Sequence, residues 1–166
     1  KILVSPVRFL VVPLLLSLEP LFSFGDRGSL FYIQTINNPN MLIGIDVGIS
    51  TTKIVGIMDG EVVSPIRITA VDPVTSLYGA FGKYLHDNNF RLEDIDHVIL
   101  TGVGSEYISQ PIYGLPTSKC DEFVADGLGA RYESGIDKAI VVSMGTGTSF
   151  VKCEGCNMEH IGGIGT

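Results

Sequence analysis

Two short stretches of this chain place a glycine and several hydroxyls directly after an apolar, strand-like run, a combination suited to holding phosphate. The first is Ile45-Asp46-Val47-Gly48-Ile49-Ser50-Thr51-Thr52 and the second is Val142-Ser143-Met144-Gly145-Thr146-Gly147-Thr148-Ser149. Laid over each other without gaps, they share a strand, a glycine, a hydroxyl-rich turn and a second strand. Each is followed by an acidic-glycine pair, Asp59-Gly60 or Glu154-Gly155. Glycine lets the backbone approach a ligand, successive N–H groups form an anion nest, and Ser and Thr hydroxyls add donors without adding charge. One such turn by itself mostly just connects strands. Two of them suggest duplicated lobes whose turns face each other and grip a polyphosphate from both sides. The candidate phosphate ligands are therefore Gly48, Ser50 and Thr51 on one side and Gly145, Thr146, Gly147 and Thr148 on the other. Asp46 is the natural anchor for Mg²⁺, held through waters, because that ion keeps several of them. The chain contains no GxxxxGK[ST] and no GxGxxG, so P-loop and dinucleotide readings have nothing to rest on.

The elements that must position these turns follow from periodicity. Residues 42–47, 52–58 and 61–69 read as three strands, the last two joined by Asp59-Gly60, a strong hairpin signal. Pro65 puts the third strand at a sheet edge, where its missing N–H costs nothing. Asp72-Pro73 supplies an N-cap and a first-turn proline. Val74, Leu77, Tyr78, Phe81, Tyr84 and Leu85 then recur at helical spacing up to Asn88-Asn89. Residues 97–100 form a short strand running into Thr101-Gly102-Val103-Gly104, which suits a strand ending at a ligand cleft. A second helix is expected over 121–134, where Gly127 and Gly129 mark close packing or a close approach to a ligand. Strands at 139–144 and 148–152, with a third at 157–161, complete the series.

Bulk properties narrow the class. With 166 residues, 45% hydrophobic content, 20 glycines and 17% charge, the composition is that of a turn-rich α/β protein. A net charge of −7 without any Lys/Arg cluster speaks against nucleic acid or an anionic membrane as partner. An anionic ligand must then be held locally, by backbone N–H groups or a metal ion. Three cysteines make no disulfide framework and fit a reducing cytosol. Cys153-Glu154-Gly155-Cys156 has metal-ligand spacing, but its one nearby additional ligand is His160; two small residues flanking a hairpin tip explain it more simply. Residues 1–40 begin without Met, hold the apolar run 9–18 with Pro13 inside it and show no sustained period. They are expected to be a non-native upstream or disordered extension, with a secretory signal as the alternative and the domain beginning at Met41.

Five segments, in order, resemble the motifs of type II pantothenate kinases, within the acetate-kinase, sugar-kinase, heat-shock-chaperone and actin superfamily. They are Asp46 to Lys53, Thr101-Gly102, Asp121-Glu122-Phe123, Ser143 to Ser149, and Gly162-Gly163-Ile164-Gly165-Thr166. The resemblance covers residues 41–166. It implies an α/β, ribonuclease H-like (actin-like ATPase) first lobe at 41–137 in the order β-β-β-α-β-α, then the opening strands of a second, truncated lobe at 138–166. It also implies ATP and Mg²⁺ as cofactors and pantothenate as the small-molecule acceptor. The reaction would give 4'-phosphopantothenate, the first step of coenzyme A biosynthesis, in a cytoplasmic protein that is a homodimer when full length. By the same resemblance Glu122 is the catalytic base alongside Asp46, Lys53 joins the phosphate ligands, and Thr146, Ser149 and His160 lie at the substrate end. His160 stands where the family has an arginine facing the pantothenate carboxylate, and Ile49 stands where it often has a second glycine.

Apart from any chemistry, Asp121 and Glu122 both suit a helix N-terminus through its dipole. The first motif also reads much like that of ATPase activators of 2-hydroxyacyl-CoA dehydratases, and a non-catalytic nucleotide-binding regulator is a further alternative. Because the sequence ends inside the Gly-Gly-x-Gly-Thr motif, the chain by itself is expected to lack most of the nucleotide site and to be inactive.

Overall fold

The computed structural model describes residues 2–5, 41–59 and 61–165. Its strands and α-helices are β1 (Ile2–Ser5), β2 (Met41–Val47), β3 (Thr51–Met58), β4 (Glu61–Thr69), α1 (Pro73–Asn88), β5 (Ile95–Thr101), β6 (Thr117–Lys119), α2 (Glu122–Ser134), β7 (Lys138–Met144), β8 (Thr148–Glu154) and β9 (Asn157–Ile164), with short 3₁₀ turns at Leu92–Asp94, Val103–Tyr107 and Ile112–Gly114. They build two sheets, one in the order β4-β3-β2-β5-β6 and the other β1-β7-β8-β9. In the first, β2, β3 and β4 form an antiparallel meander, with β5 and β6 added in parallel. In the second, β7, β8 and β9 repeat the meander.

Strand alternation sorts the first sheet into two faces. Met41, Ile43, Ile45 and Val47 of β2 pack with Leu77, Ala80, Phe81 and Tyr84 of α1, all of them essentially sealed from solvent. The alternate residues point the other way. Leu42, Val55, Ile57 and Ile99 make a small apolar patch on that second face, and Asp46, Lys53 and Thr101 lie beyond it toward the C-terminal ends of β2 and β5. Local signals hold α1 in place. The Asp72 carboxylate accepts from the Thr75 N–H at 2.7 Å, Pro73 opens the helix, and Asn89 closes it in the left-handed conformation at φ 56°. Val74 belongs to the expected apolar series yet stays 38% exposed, because the first turn has not reached the sheet.

Pro65 does lie on an edge strand. Beside it the ladder slips between Ile54 and Gly56, Ser64 turns to φ 42°, and the Tyr84 hydroxyl donates to the Val63 carbonyl at 2.8 Å. The bulge thus hands one of its orphaned carbonyls to the helix above. Gly56 has to be glycine here, since a Cβ would collide with that hydroxyl. In α2, a Cβ on Gly127 would strike Met158 and lie 3.0 Å from the Cys153 sulfur, so the glycine marks close packing on β8 and β9. At the β3–β4 hairpin Asp59 is left-handed at φ 54°, and Gly60 lies outside the described residues.

Three features depart from the sequence reading. β8 and β9 run on to Glu154 and Ile164, because their cross-strand pairing continues past the apolar residues that signal them. β6, three polar-leaning residues with no period of their own, exists by parallel pairing with β5. Ile2–Ser5, for which no element was expected, pairs in parallel with β7 just as β5 pairs with β2. An unpaired β7 edge is a template for any extended, β-branched segment. The rest of the 1–40 segment falls outside the described residues. No helix among the described residues is long and apolar enough to cross a membrane.

Candidate functional site

The two glycine-hydroxyl turns meet. The Ser50 hydroxyl lies 3.3 Å from that of Thr146, at the mouth of a cleft of about 830 Å³ between the two sheets. Every site residue named from the sequence lines it: Asp46, Gly48, Ser50, Thr51, Lys53 and Glu122, and across from them Gly145, Thr146, Gly147, Thr148, Ser149 and His160.

Each turn is tight for a local reason. The Gly48 N–H donates to the Thr51 carbonyl at 3.0 Å, and a Cβ on Gly48 would sit 2.7 Å from that oxygen. Gly145 N–H closes the second turn on the Gly147 carbonyl at 2.8 Å. Gly163 of β9 lets the strand pass within reach of Thr148, whose carbonyl would be 2.7 Å from a Cβ there.

The floor is a row of cross-strand partners. Thr101, Asp46 and Lys53 stand opposite one another on β5, β2 and β3, and Lys53 pairs ionically with Asp46. Gly102 makes room for this pair. At φ 82° it takes a conformation open to glycine, and a Cβ would strike the Asp46 carboxylate and come within 2.8 Å of the Val47 carbonyl.

Helix α2 enters from the side and separates two roles that its sequence left joined. Asp121 is the N-cap, its carboxylate accepting from the Phe123 and Val124 N–H groups at 2.9 and 3.1 Å. Glu122, the first helical residue, has no hydrogen bond or ion pair among the described residues and faces the cleft. The cleft walls remove much of the bulk water around its carboxylate and push its pKa above the usual range. The negative charges of Asp46 and Asp126 add to this, while Lys53 works against it.

Asp126, one turn on, escaped sequence reasoning, as did Arg67; Thr101, Phe123 and Ser143, which stand within the quoted motifs but were given no role of their own, also line the cleft. The i, i+4 spacing from Glu122 was the available signal for Asp126. Burial raises its pKa, a Ser143 hydrogen bond lowers it, and the charge of Asp46 raises it further. Its folded-state pKa is thus raised on balance. Stability from this group is complete below the unfolded value near 3.8 and is lost as pH rises through the folded one. Asp126→Asn, which cannot ionise, should therefore melt higher than the parent at about pH 7 and lose that advantage near about pH 3.5, as thermal melts at the two pH values will read.

The donor set suits a hydrated, hard cation beside phosphate. Thr101 is 5% exposed with its hydroxyl unpartnered, and one Asp126 oxygen is buried without a hydrogen bond; both residues line the cleft next to Asp46. Among the described residues no three His, Cys, Asp or Glu side chains are grouped to hold a metal directly. Cys153 is buried in β8 and Cys156 is exposed, its sulfur accepting from Arg131 at 3.2 Å. At the other end of the cleft the His160 ring stacks on Phe123, with centroids 4.0 Å apart and 8° between planes.

No protein-family model and no curated protein matches this sequence. Solved structures do match it in shape. Component A of the (R)-2-hydroxyglutaryl-CoA dehydratase of Acidaminococcus fermentans superposes with a TM-score of 0.61 at 19% identity, over 72% of this chain and 46% of that one. The activator of the 2-hydroxyisocaproyl-CoA dehydratase of Clostridium difficile, solved with ADPNP bound, gives 0.58 at 19%, over 72% and 45%. A transcriptional regulator of the ROK family gives 0.53 at 16%, over 78% and 41%. The chain thus spans less than half the length of each. The fold is that of the actin-like ATPases, a ribonuclease H-like α/β architecture, which the five-stranded mixed sheet and its meander fit.

Proposed function

We propose that this chain forms the phosphate-gripping part of an ATP site, and that the full-length protein transfers the terminal phosphoryl group of ATP to the hydroxyl of pantothenate. The observation that carries this reading is the meeting of the Ser50 and Thr146 turns over one cleft into which Glu122 projects unpaired.

The backbone N–H groups and hydroxyls of the two turns hold the phosphates from both sides. Asp46, oriented by Lys53, and the Thr101 hydroxyl would hold the water shell of Mg²⁺, which supplies neutralisation of phosphate charge. Glu122, more basic than an ordinary carboxylate, takes the proton of the incoming hydroxyl. Thr146, Ser149 and the His160–Phe123 stack form the acceptor end.

A second reading has the likeness of the solved structures on its side: an ATPase activator of the 2-hydroxyacyl-CoA dehydratase type. A regulator with the same fold shows that the architecture alone decides neither. Coupled measurement of ADP release by the full-length protein separates them. Release that depends on pantothenate and yields its phosphate ester is the expected result; ATP hydrolysis indifferent to pantothenate would favour the activator, and absence of both would leave a binding role.

A further inference from the structure

The cross-strand row on the cleft floor has a fourth member. Arg67 on β4 stands directly opposite Lys53 on β3, continuing the series Thr101, Asp46, Lys53 across four adjacent strands. Ile66 and Ile68 on either side of it pack toward the α1 core, so alternation turns Arg67 to the opposite face, and it lines the cleft. Its strand also flanks the first glycine-hydroxyl turn in space: Thr69 pairs with Thr51, and the Ala70 N–H donates to the Ser50 carbonyl at 2.9 Å.

The charges along the row are not equivalent. Lys53 is committed to Asp46. Arg67 has no carboxylate partner among the described residues, although Asp46, Glu122 and Asp126 all line the same cleft. A solvent-exposed guanidinium without a carboxylate partner, on the nine-residue edge strand that flanks the turn at 48–51, offers a planar fork of donors matched to an oxyanion. Lysine at its neighbour's position cannot do this while it neutralises Asp46.

We propose that Arg67 binds an oxyanion of the ligand, namely the terminal phosphate of the nucleotide. The inference rests on the nucleotide-binding reading above and adds to it the residue that distinguishes a triphosphate from a diphosphate. Geometry favours phosphate over the other oxyanion at hand, the acceptor carboxylate, because Arg67 belongs to the strand that flanks the Ser50 turn.

Calorimetric titration of the full-length protein with Mg·ADPNP and with Mg·ADP tests this in the parent, Arg67→Gln and Arg67→Lys. Arg67→Gln is expected to weaken ADPNP by about 10- to 100-fold, the loss of one charge-assisted contact, and to leave ADP within about twofold. Arg67→Lys should fall between, keeping charge without the fork. Pantothenate and its carboxylate-free alcohol analogue form the second arm. A loss confined to pantothenate would overturn the assignment in favour of the acceptor carboxylate, and equal ADPNP and ADP affinities across all three proteins would overturn it outright. A parent that binds neither nucleotide would instead bring down the nucleotide-site reading itself, and this inference with it. Melting curves accompany each protein; should Arg67→Gln unfold, the ADPNP-to-ADP affinity ratio of Arg67→Lys decides.

Discussion

Under the proposed function, exchanging Glu122 for Gln is expected to lower kcat for pantothenate-dependent ADP release by the full-length protein about 10²- to 10⁴-fold, the usual span for removing a general base, with the nucleotide Kd near parental. The helix would not suffer, because Asp121 rather than Glu122 accepts from the first N–H groups of α2. Melting temperature should therefore stay close to that of the parent, or rise, since an unpaired carboxylate with a raised pKa is removed from the cleft. A base must be ionised to act, so parental activity should climb with pH through a value above that of an ordinary glutamate, and Glu122→Gln should lose this limb. Asp46→Asn provides the contrast: it should weaken the Mg²⁺ dependence as well as the rate and free Lys53 from its partner. Near-parental kcat in Glu122→Gln would remove it from the mechanism.

Gly102→Ala should be among the most damaging single-methyl changes available in this chain. Alanine at φ 82° is strained by about 1–3 kcal/mol, and overlap with Asp46 and the Val47 carbonyl adds about as much again. Against the marginal stability of ordinary domains, a loss of about 3 kcal/mol or more shifts a denaturation midpoint far outside error. The matched control is Gly82→Ala in α1, where a Cβ meets nothing within 4 Å. There the same substitution should stabilise by about 0.5–1 kcal/mol, through helix propensity alone. Urea denaturation of both variants reads the opposite signs. Equal, small effects would mean that Gly102 does not hold the Asp46 carboxylate against the backbone.

Much of the five-stranded sheet and its helix α1 was legible because its signals are local. Asp72-Pro73 and Asn88-Asn89 mark the limits of α1, and the structure uses Asp72 as N-cap, Pro73 as first residue and Asn89 as left-handed cap. Asp59-Gly60 and Pro65 place a hairpin and an edge strand, because turn conformation and a missing donor are properties of single residues. The two glycine-hydroxyl turns were likewise visible as a repeat of local sequence, and each follows a strand that opens a meander. The structure brings the two turns into contact, Ser50 hydroxyl to Thr146 hydroxyl.

What sequence alone determined, then, are the properties a residue carries with it: which segments are strands or helices, where caps stop the helix α1, and where glycine-hydroxyl turns fall. Tertiary structure decided the rest through partners far away in the chain. β6 exists only because β5 offers it an edge, and Ile2–Ser5 is a strand only because β7 does. Asp121 and Glu122 look interchangeable in sequence; the geometry of the helix start makes one a cap and leaves the other facing the cleft that the two glycine-hydroxyl turns also line. Arg67 and Asp126 carry no motif, and their place in the cleft follows from strand register and from the packing of α2 beside the two sheets. Such long-range coincidences have no signature in local spacing, because the energy that fixes them is burial and pairing between segments, not the propensity of either one.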